Sequence, residues 1–231
     1  MRDPIETMNR IGSTPKRHGI LVVDDHPLFR KGVVQMLSQE PDLEVLAEAE
    51  NSPKALHALR RTKVDLAIVD IGLDGSANGI ELTKSIRAEH ADLPILVLSM
   101  HDETLYADRA LRAGARGYLM KREALDSVVI AVRTVLAGEI YLSTAMSKRM
   151  IAEHVGGGGG SRSAIDKLTD RELEILQLFG GGEEVRAIAK ALHLSPKTVE
   201  AHRAHIKEKL NFENARQVAR FAVQWVNERS G

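Results

Sequence analysis

The stretch that most constrains this chain is residues 64–70, VDLAIVD, an apolar run that ends in a carboxylate. Such a run is typical of a β-strand buried on both faces. Residues 19–23, GILVV, end in the same way, in Asp24 and Asp25. Aspartate is common where strands give way to loops, so either run alone carries little weight. In open α/β sheets, however, ligands bind at the carboxyl ends of the strands, and two acidic ends at one edge need a cation such as Mg²⁺.

Composition narrows the class of protein. The 231 residues are enough for two domains, and the formal net charge of +0 points to neither a nucleic-acid nor an acidic partner. The lack of cysteine excludes disulfides, zinc-thiolate sites and cysteine nucleophiles. No apolar run approaches the roughly 20 residues of a membrane helix, and residues 1–18 lack the apolar core of a secretory signal. We therefore expect a cytoplasmic protein with a flexible tail over residues 1–18.

Up to about residue 137, short apolar runs alternate with segments whose apolar residues recur at helical spacing. The pattern βαβαβαβαβα predicts parallel strands with right-handed crossovers, hence an α/β fold with a doubly wound five-stranded sheet in the flavodoxin-like order 2-1-3-4-5. Ser52 and Pro53 are expected to cap and begin the second helix. Strands are expected at 19–23, 43–49, 64–70, 94–98 and 116–120, and helices at 27–39, 52–61, 78–89, 103–113 and 123–137.

A domain boundary follows. Residues 144–155 are polar and helix-prone, and they lead into five glycines at 156–160. Five glycines behave as a flexible coil with a reach of roughly 12 Å, which predicts that the two domains move separately in the unphosphorylated monomer. We expect an α/β domain over 19–140, a linker over 141–163 and an all-α domain over 164–231.

The second domain has the pattern of a helix-turn-helix. Thr169 and Glu172 form a capping box at the start of one helix. A short helix over about 184–192 is followed by a tight turn and by Ser195 and Pro196, which begin a longer helix with a basic polar face. From spacing alone, a generic helical bundle with a solvated face remains an alternative.

Four strand ends of the first domain suggest a reaction. They deliver the acidic pair Asp24–Asp25, Asp70, Ser99 and Lys121 to one edge. A carboxylate can attack a phosphoryl group to give an aspartyl-phosphate. Mg²⁺ on the acids, a hydroxyl and a lysine would each hold phosphoryl oxygens.

Residues 19–137 resemble the receiver domain of bacterial response regulators, through the motifs VDDHP, VDIGL, LSM and GYLMK. By this resemblance Asp70 is the phosphoacceptor, and Ser99, Tyr118 and Lys121 take part in the conformational switch. A plain half-buried strand aromatic is the less favoured alternative for Tyr118. The chain departs from the family at 73–76, where Asp74 adds a charge close to the expected pocket. The implied Mg²⁺ ligands are Asp24, Asp25, Asp70 and the carbonyl of Gly72.

Residues 165–225 resemble the LuxR-type DNA-binding domain, through LTDRE, IA and SPKTVEAHR. By this resemblance the second domain is a small all-α four-helix domain, and with the receiver the whole chain resembles a response regulator of the NarL/FixJ type. The chain carries Glu183 and Glu184 at the start of the first motif helix, and Ala204 where some members have a basic side chain. We therefore expect moderate DNA affinity that depends on dimerisation. The implied DNA-contact residues are Lys197, Thr198, Glu200, Ala201, Arg203, Ala204 and Lys207.

The resemblance implies a two-component transcription regulator and not an enzyme. Its expected partners are a sensor histidine kinase, double-stranded promoter DNA and, when phosphorylated, a second copy of the chain; RNA polymerase is a further candidate, and no membrane is expected. One alternative is a phosphohydrolase of the haloacid-dehalogenase kind, but the second aspartate that such enzymes carry is replaced here by Gly72. Another alternative is a phosphorylation-independent DNA-binding protein, which the intact pocket argues against.

Overall fold

The computed structural model describes residues 17–73, 78–155 and 164–230. The first part is a parallel five-stranded sheet with strand order β2-β1-β3-β4-β5, which confirms the predicted topology. The strands are β1 (His18–Val23), β2 (Leu43–Ala49), β3 (Leu66–Asp70), β4 (Ile95–Ser99) and β5 (Gly117–Met120). The helices that connect and follow them are α1 (Pro27–Ser38), α2 (Ser52–Arg61), α3 (Gly79–Glu89), α4 (Glu103–Arg112) and α5 (Ala124–Leu136).

The central strands are apolar throughout because helices cover both faces of the sheet. Ile20 and Ile68 point to one face and pack with residues of α1 and α5. Their neighbours Leu21 and Val69 point to the other face and pack with residues of α2 and α3. Each such fully buried side chain contributes roughly 1.5–3 kcal/mol of hydrophobic stabilisation, which explains the continuous runs read from the sequence.

Several element ends differ from the sequence-based boundaries. β3 begins at Leu66 rather than at residue 64. Asp65 lies just before it, and its carboxylate accepts the N–H of Gly19 at 2.8 Å. The prediction that Ser52 caps α2 is wrong: Asn51 is the cap and accepts the N–H of Lys54 at 3.1 Å. Asparagine is an equally good cap, and the helix begins one residue before the proline.

The link between the two parts is described only in part. Residues 144–155 form a helix as expected, α6 (Thr144–Val155). The predicted flexible tail up to residue 16, the loop that contains Asp74, and the glycine run at 156–160 lie outside the described residues. The tail itself cannot extend to residue 18, because β1 begins at His18.

The second part is all-helical. After a 3₁₀ turn, Ala164–Lys167, it contains α7 (Asp170–Gly180), α8 (Val185–Ala191), α9 (Pro196–Lys209) and α10 (Ala215–Ser230), as the four-helix prediction requires. The capping box is confirmed, since Thr169 N–H donates to Glu172 Oε2 at 2.7 Å and Glu172 N–H donates to Thr169 Oγ1 at 3.3 Å. No described helix of the chain combines the length and apolar character that crossing a membrane requires.

Candidate functional site

The carboxyl edge of the sheet holds a buried acidic pocket. Asp24 and Asp70 are each 2% exposed, and Lys121 is 5% exposed. The Lys121 Nζ lies 2.6 Å from Asp70 Oδ2 and 2.8 Å from Asp24 Oδ2. One ammonium therefore bridges two buried carboxylates.

The sheet itself brings these groups together. Asp70 is the last residue of β3 and lies opposite Leu98 in the register, while Ser99 is the last residue of β4 and lies opposite Met120. Lys121 follows directly after β5. The strand ends predicted from the sequence thus lie along one edge.

In this pocket, burial and the charge of Lys121 shift the pKa of Asp70 in opposite directions. Burial raises the pKa of Asp70; the charge of Asp24 adds to this, and Lys121 offsets it only in part. Burial also acts to lower the pKa of Lys121, but its contacts with Asp70 and Asp24 outweigh burial, and the net effect is a raised pKa. The lysine therefore stays charged between the two acids.

The pocket offers oxygen ligands to a metal ion. Asp24, Asp25, Asp70 and His26 each place one potential ligand atom within 4.8 Å of the others. Gly72 lies beside them, since its N–H donates to Asp70 Oδ1 at 3.2 Å. Carboxylate and carbonyl oxygens are the ligands that Mg²⁺ prefers, so the donor set fits that ion.

Two further residues contact this pocket, His26 in the loop after β1 and Phe29 in the first turn of α1, and the sequence predicts no role for either. The ring of Phe29 lies 4.6 Å from Lys121 Nζ, a cation–π contact. His26 Nδ1 lies 2.5 Å from Asp25 Oδ1, and the His26 N–H donates to Asp24 Oδ1 at 2.8 Å. The only sequence signal for both is that they follow the acidic pair within five residues.

The two switch candidates besides Lys121 meet at His101. Ser99 is fully buried, and its Oγ accepts the N–H of His101 at 3.0 Å. Tyr118 is also fully buried, and its hydroxyl donates to the carbonyl of His101 at 2.8 Å. The imidazole of His101 stacks on Tyr106 of α4, with ring centroids 4.6 Å apart. His101, for which the sequence predicts no role, thus links the end of β4 to α4.

The start of α3 is held against the end of β3. A Cβ atom on Gly79 would lie 1.8 Å from the carbonyl oxygen of Asp70, so only glycine allows this approach. The Gly79 N–H donates to the carbonyl of Ile71 at 2.9 Å. This packing fixes the backbone on which the Asp70 side chain stands.

The helix-turn-helix corresponds to α8 and α9. Ser195 caps α9 by accepting the N–H of Thr198 at 3.0 Å, and Pro196 begins the helix, as expected. His193 takes the turn between the helices with φ of 50°, a left-handed conformation that is uncommon outside glycine and asparagine. Glu184 caps α8 without a side-chain hydrogen bond.

The predicted DNA-contact residues share the accessible side of α9. Lys197 is exposed, whereas the hydroxyl of Thr198 lies 2.7 Å from that of Ser195 and so takes part in the cap. Arg203 is held within its own helix, with Nη2 2.5 Å from Glu200 Oε2. Around a shallow cavity of about 250 Å³ lie Glu200, Arg203, Ala204 and Lys207, together with Glu213, Asn214 and Ala215; Ala201 is exposed on the same helix.

The two parts of the chain contact each other through α4 and α7. Arg109 donates to the carbonyls of Ile165 and Leu168 at 2.9 and 2.8 Å, and to Asp170 Oδ1 at 3.0 Å. Beside it, the hydroxyl of Tyr106 donates to Gln177 Oε1 at 2.8 Å. His101 Nε2 lies 3.9 Å from Glu174 Oε1. Apolar side chains of both parts form one continuous buried cluster around these contacts.

Two family models match the chain. Residues 20–133 match the response regulator receiver domain, and residues 166–222 match the bacterial regulatory proteins of the luxR family. These are families of transcription regulators and not of enzymes.

Curated relatives match over nearly the whole chain. The transcriptional regulatory protein DegU of Brevibacillus brevis is 33% identical over 226 residues, covering 91% of this chain and 95% of that protein. The response regulator GacA of Pseudomonas protegens is 33% identical over 205 residues, covering 89% and 95%.

Solved structures of response regulators are similar to this chain. RcsB from Salmonella enterica serovar Typhimurium, bound to promoter P1flhDC in the presence of phosphomimetic BeF3-, has a TM-score of 0.60 and 26% identity, covering 90% of this chain and 98% of that chain. A LuxR-family response regulator from Aurantimonas has a TM-score of 0.56 and 33% identity, covering 61% and 99%. From its two matched domains, their order and these relatives, the chain belongs to the response regulators that join a receiver domain to a LuxR-type DNA-binding domain.

Proposed function

We propose that Asp70 accepts a phosphoryl group from a sensor histidine kinase, and that this controls dimerisation and promoter binding. The observation that carries the proposal is the position of Asp70, buried at a strand end with Lys121 Nζ 2.6 Å away and Asp24 beside it. A carboxylate so buried is costly to place, and the cost is understandable if the group reacts.

The reaction transfers a phosphoryl group from a histidine nitrogen of the kinase to a carboxylate oxygen of Asp70. A carboxylate oxygen of Asp70 attacks the phosphorus of a phosphohistidine, the P–N bond breaks as the P–O bond forms, and the released imidazole takes a proton from solvent. Lys121 and the hydroxyl of Ser99 then hold the phosphoryl oxygens. Asp24, Asp25, Asp70 and the carbonyl of Gly72 would hold Mg²⁺, which offsets the repulsion between phosphoryl and carboxylate oxygens.

The contacts around His101 offer a route to the second domain. If Ser99 Oγ turns to the phosphoryl group, it gives up the N–H of His101, whose carbonyl also holds Tyr118. His101 stacks on Tyr106, which bonds Gln177 of α7. A shift of the β4–α4 loop would thus weaken the α4–α7 interface, and phosphorylation would bias a two-state equilibrium between docked and released DNA-binding helices.

The target of the released helices is double-stranded promoter DNA, bound by two copies of the chain. RcsB, a structural relative, is described as bound to promoter DNA and as dimers on DNA. In this chain α9 offers Lys197, Arg203 and Lys207 for contact with phosphates and base edges. We infer that phosphorylation and DNA binding take place in the cytoplasm. RNA polymerase is a further candidate partner.

The proposal is tested by labelling with acetyl phosphate, a small donor that needs no kinase. Asp70→Asn should abolish label incorporation, because an amide is a poor nucleophile. Asp92→Asn is the matched control, since Asp92 is exposed in the loop between α3 and β4. Incorporation at the wild-type level in Asp70→Asn would refute the assignment of Asp70.

A further inference from the structure

The DNA-binding domain contains a cluster of metal-ligand side chains separate from the acidic pocket. It comprises Glu172 in the first turn of α7 and two histidines of α9, His202 and His205. One potential ligand atom from each lies within 4.8 Å of the others. The histidines are three residues apart on one helix, a spacing that places both side chains on the same face.

The carboxylate of Glu172 has one oxygen directed to the histidines. Its Oε2 accepts the N–H of Thr169 at 2.7 Å and lies 2.6 Å from Lys209 Nζ. Its Oε1 instead lies 3.8 Å from His205 Nδ1, too far for a hydrogen bond. Two ligands of a tetrahedral zinc ion, each roughly 2.0–2.2 Å from the metal, lie about 3.4 Å apart, so an ion would draw Oε1 and Nδ1 together by only a few tenths of an ångström.

We propose that Glu172, His202 and His205 bind Zn²⁺, with water completing the tetrahedron. The chemistry of the donors selects the ion, since two imidazole nitrogens and one carboxylate oxygen suit Zn²⁺ far better than Mg²⁺ or Ca²⁺. Lys209 Nζ contacts the other carboxylate oxygen, Oε2, at 2.6 Å, so Oε1 is the oxygen that would bind the ion. The two metal-ligand clusters found among the described residues thus differ in donor chemistry, with oxygen ligands suited to Mg²⁺ in the receiver and two imidazoles suited to Zn²⁺ here.

The site would tie α9 to the start of α7. At 3.6 residues per turn, His202 and His205 lie about 100–160° around the helix from Arg203 and Lys207, whereas Thr198 and Ala201 lie on the histidine side. Zinc would therefore raise the thermal stability of the DNA-binding domain, as any ligand of the native state does, and leave Arg203 and Lys207 free to contact DNA. This inference does not depend on phosphorylation of Asp70.

The experiment is calorimetric titration of the full chain with ZnCl₂ in saturating Mg²⁺. One zinc should bind per chain, and His205→Gln should weaken it by at least about tenfold, since even outer-shell changes cost that much. His205 is exposed, so the substitution should leave the fold intact. His57→Gln, at an exposed histidine of α2, is the matched control and should bind zinc like the wild type.

A second measurement identifies the atoms involved. In ¹⁵N spectra of the imidazoles, zinc should shift a ring nitrogen of both His202 and His205. Equal zinc affinity in wild type and His205→Gln would overturn the proposal, as would zinc-induced shifts confined to His26 in the receiver pocket.

Discussion

At the scale of single residues, the receiver pocket depends on Lys121. Its ammonium contacts both Asp70 and Asp24 and lies over the ring of Phe29. This one positive charge lies between two buried carboxylates. It therefore opposes any second cation that the same carboxylates would bind.

Replacement of Lys121 by methionine should raise Mg²⁺ affinity by roughly tenfold, about 1.4 kcal/mol, because the competing charge is removed from both carboxylates. Isothermal titration would measure this, with circular dichroism to verify folding. Lys54→Met is the matched control, since Lys54 is an exposed lysine of α2 that pairs with Glu50 just before the helix. Unchanged or weaker Mg²⁺ binding in Lys121→Met would show that the lysine does not compete for the acids.

The sequence predicted the pocket residues that follow from strand position. Asp70, Ser99 and Lys121 each end or follow an apolar run, and parallel strands place such ends at one edge. No role for His26 or His101 could be predicted, because their contacts depend on the path of the loops after β1 and β4. Loop paths depend on tertiary packing, which periodicity does not report.

Among the helices, α9 carries the side chains that we propose contact DNA. Lys197→Ala should weaken binding to all sequences alike and make the log–log salt dependence shallower by roughly 0.9, because phosphate contacts release counterions. Arg203 must first leave its partner Glu200. If it then reads a guanine, Arg203→Ala should lose roughly 1–3 kcal/mol, mostly on the cognate site.

Fluorescence anisotropy with specific and scrambled DNA across a salt series would measure both effects. Lys31→Ala, at an exposed lysine of α1, should change neither. If Lys197→Ala and Arg203→Ala also leave both affinities unchanged, α9 is not the recognition helix.

Helices and strands were predicted better in type than in extent. Caps with a strong chemical signal, Thr169 and Ser195, mark their helices correctly. Asn51 displaced the expected Ser52 because both residues are good caps and only the chain path selects between them. The tight turn before Ser195 was predicted, but the left-handed φ of His193 within it was not, since glycine is the usual residue in that conformation.

At the scale of the whole molecule, the sequence indicated separation and the structure shows contact. Five glycines predict two domains that move apart, but Arg109 and Tyr106 of α4 bind α7 and the turn before it. Side-chain pairs so distant in sequence cannot be recognised from local patterns. These contacts argue against the separate motion predicted for the unphosphorylated monomer, and NMR relaxation tests it directly.

Arg109→Met should release the DNA-binding domain, because it removes an ion pair and two hydrogen bonds to carbonyls. NMR relaxation should give one correlation time for both domains of the wild type and two for the variant, and basal DNA affinity should rise. Arg112→Met is the matched control, since Arg112 pairs only with Asp108 of its own helix among the described contacts. A single correlation time in Arg109→Met would mean that this contact does not hold the domains together.

One measurement tests directly whether phosphorylation of Asp70 controls DNA binding. The affinity of the full chain for its promoter would be measured by anisotropy with Mg²⁺, before and after treatment with acetyl phosphate. We expect the treatment to tighten DNA binding by the wild type and by Asp92→Asn, and to leave the DNA affinity of Asp70→Asn unchanged. Equal tightening in Asp70→Asn, or none in a wild type shown to carry the phosphoryl label, would contradict this expectation.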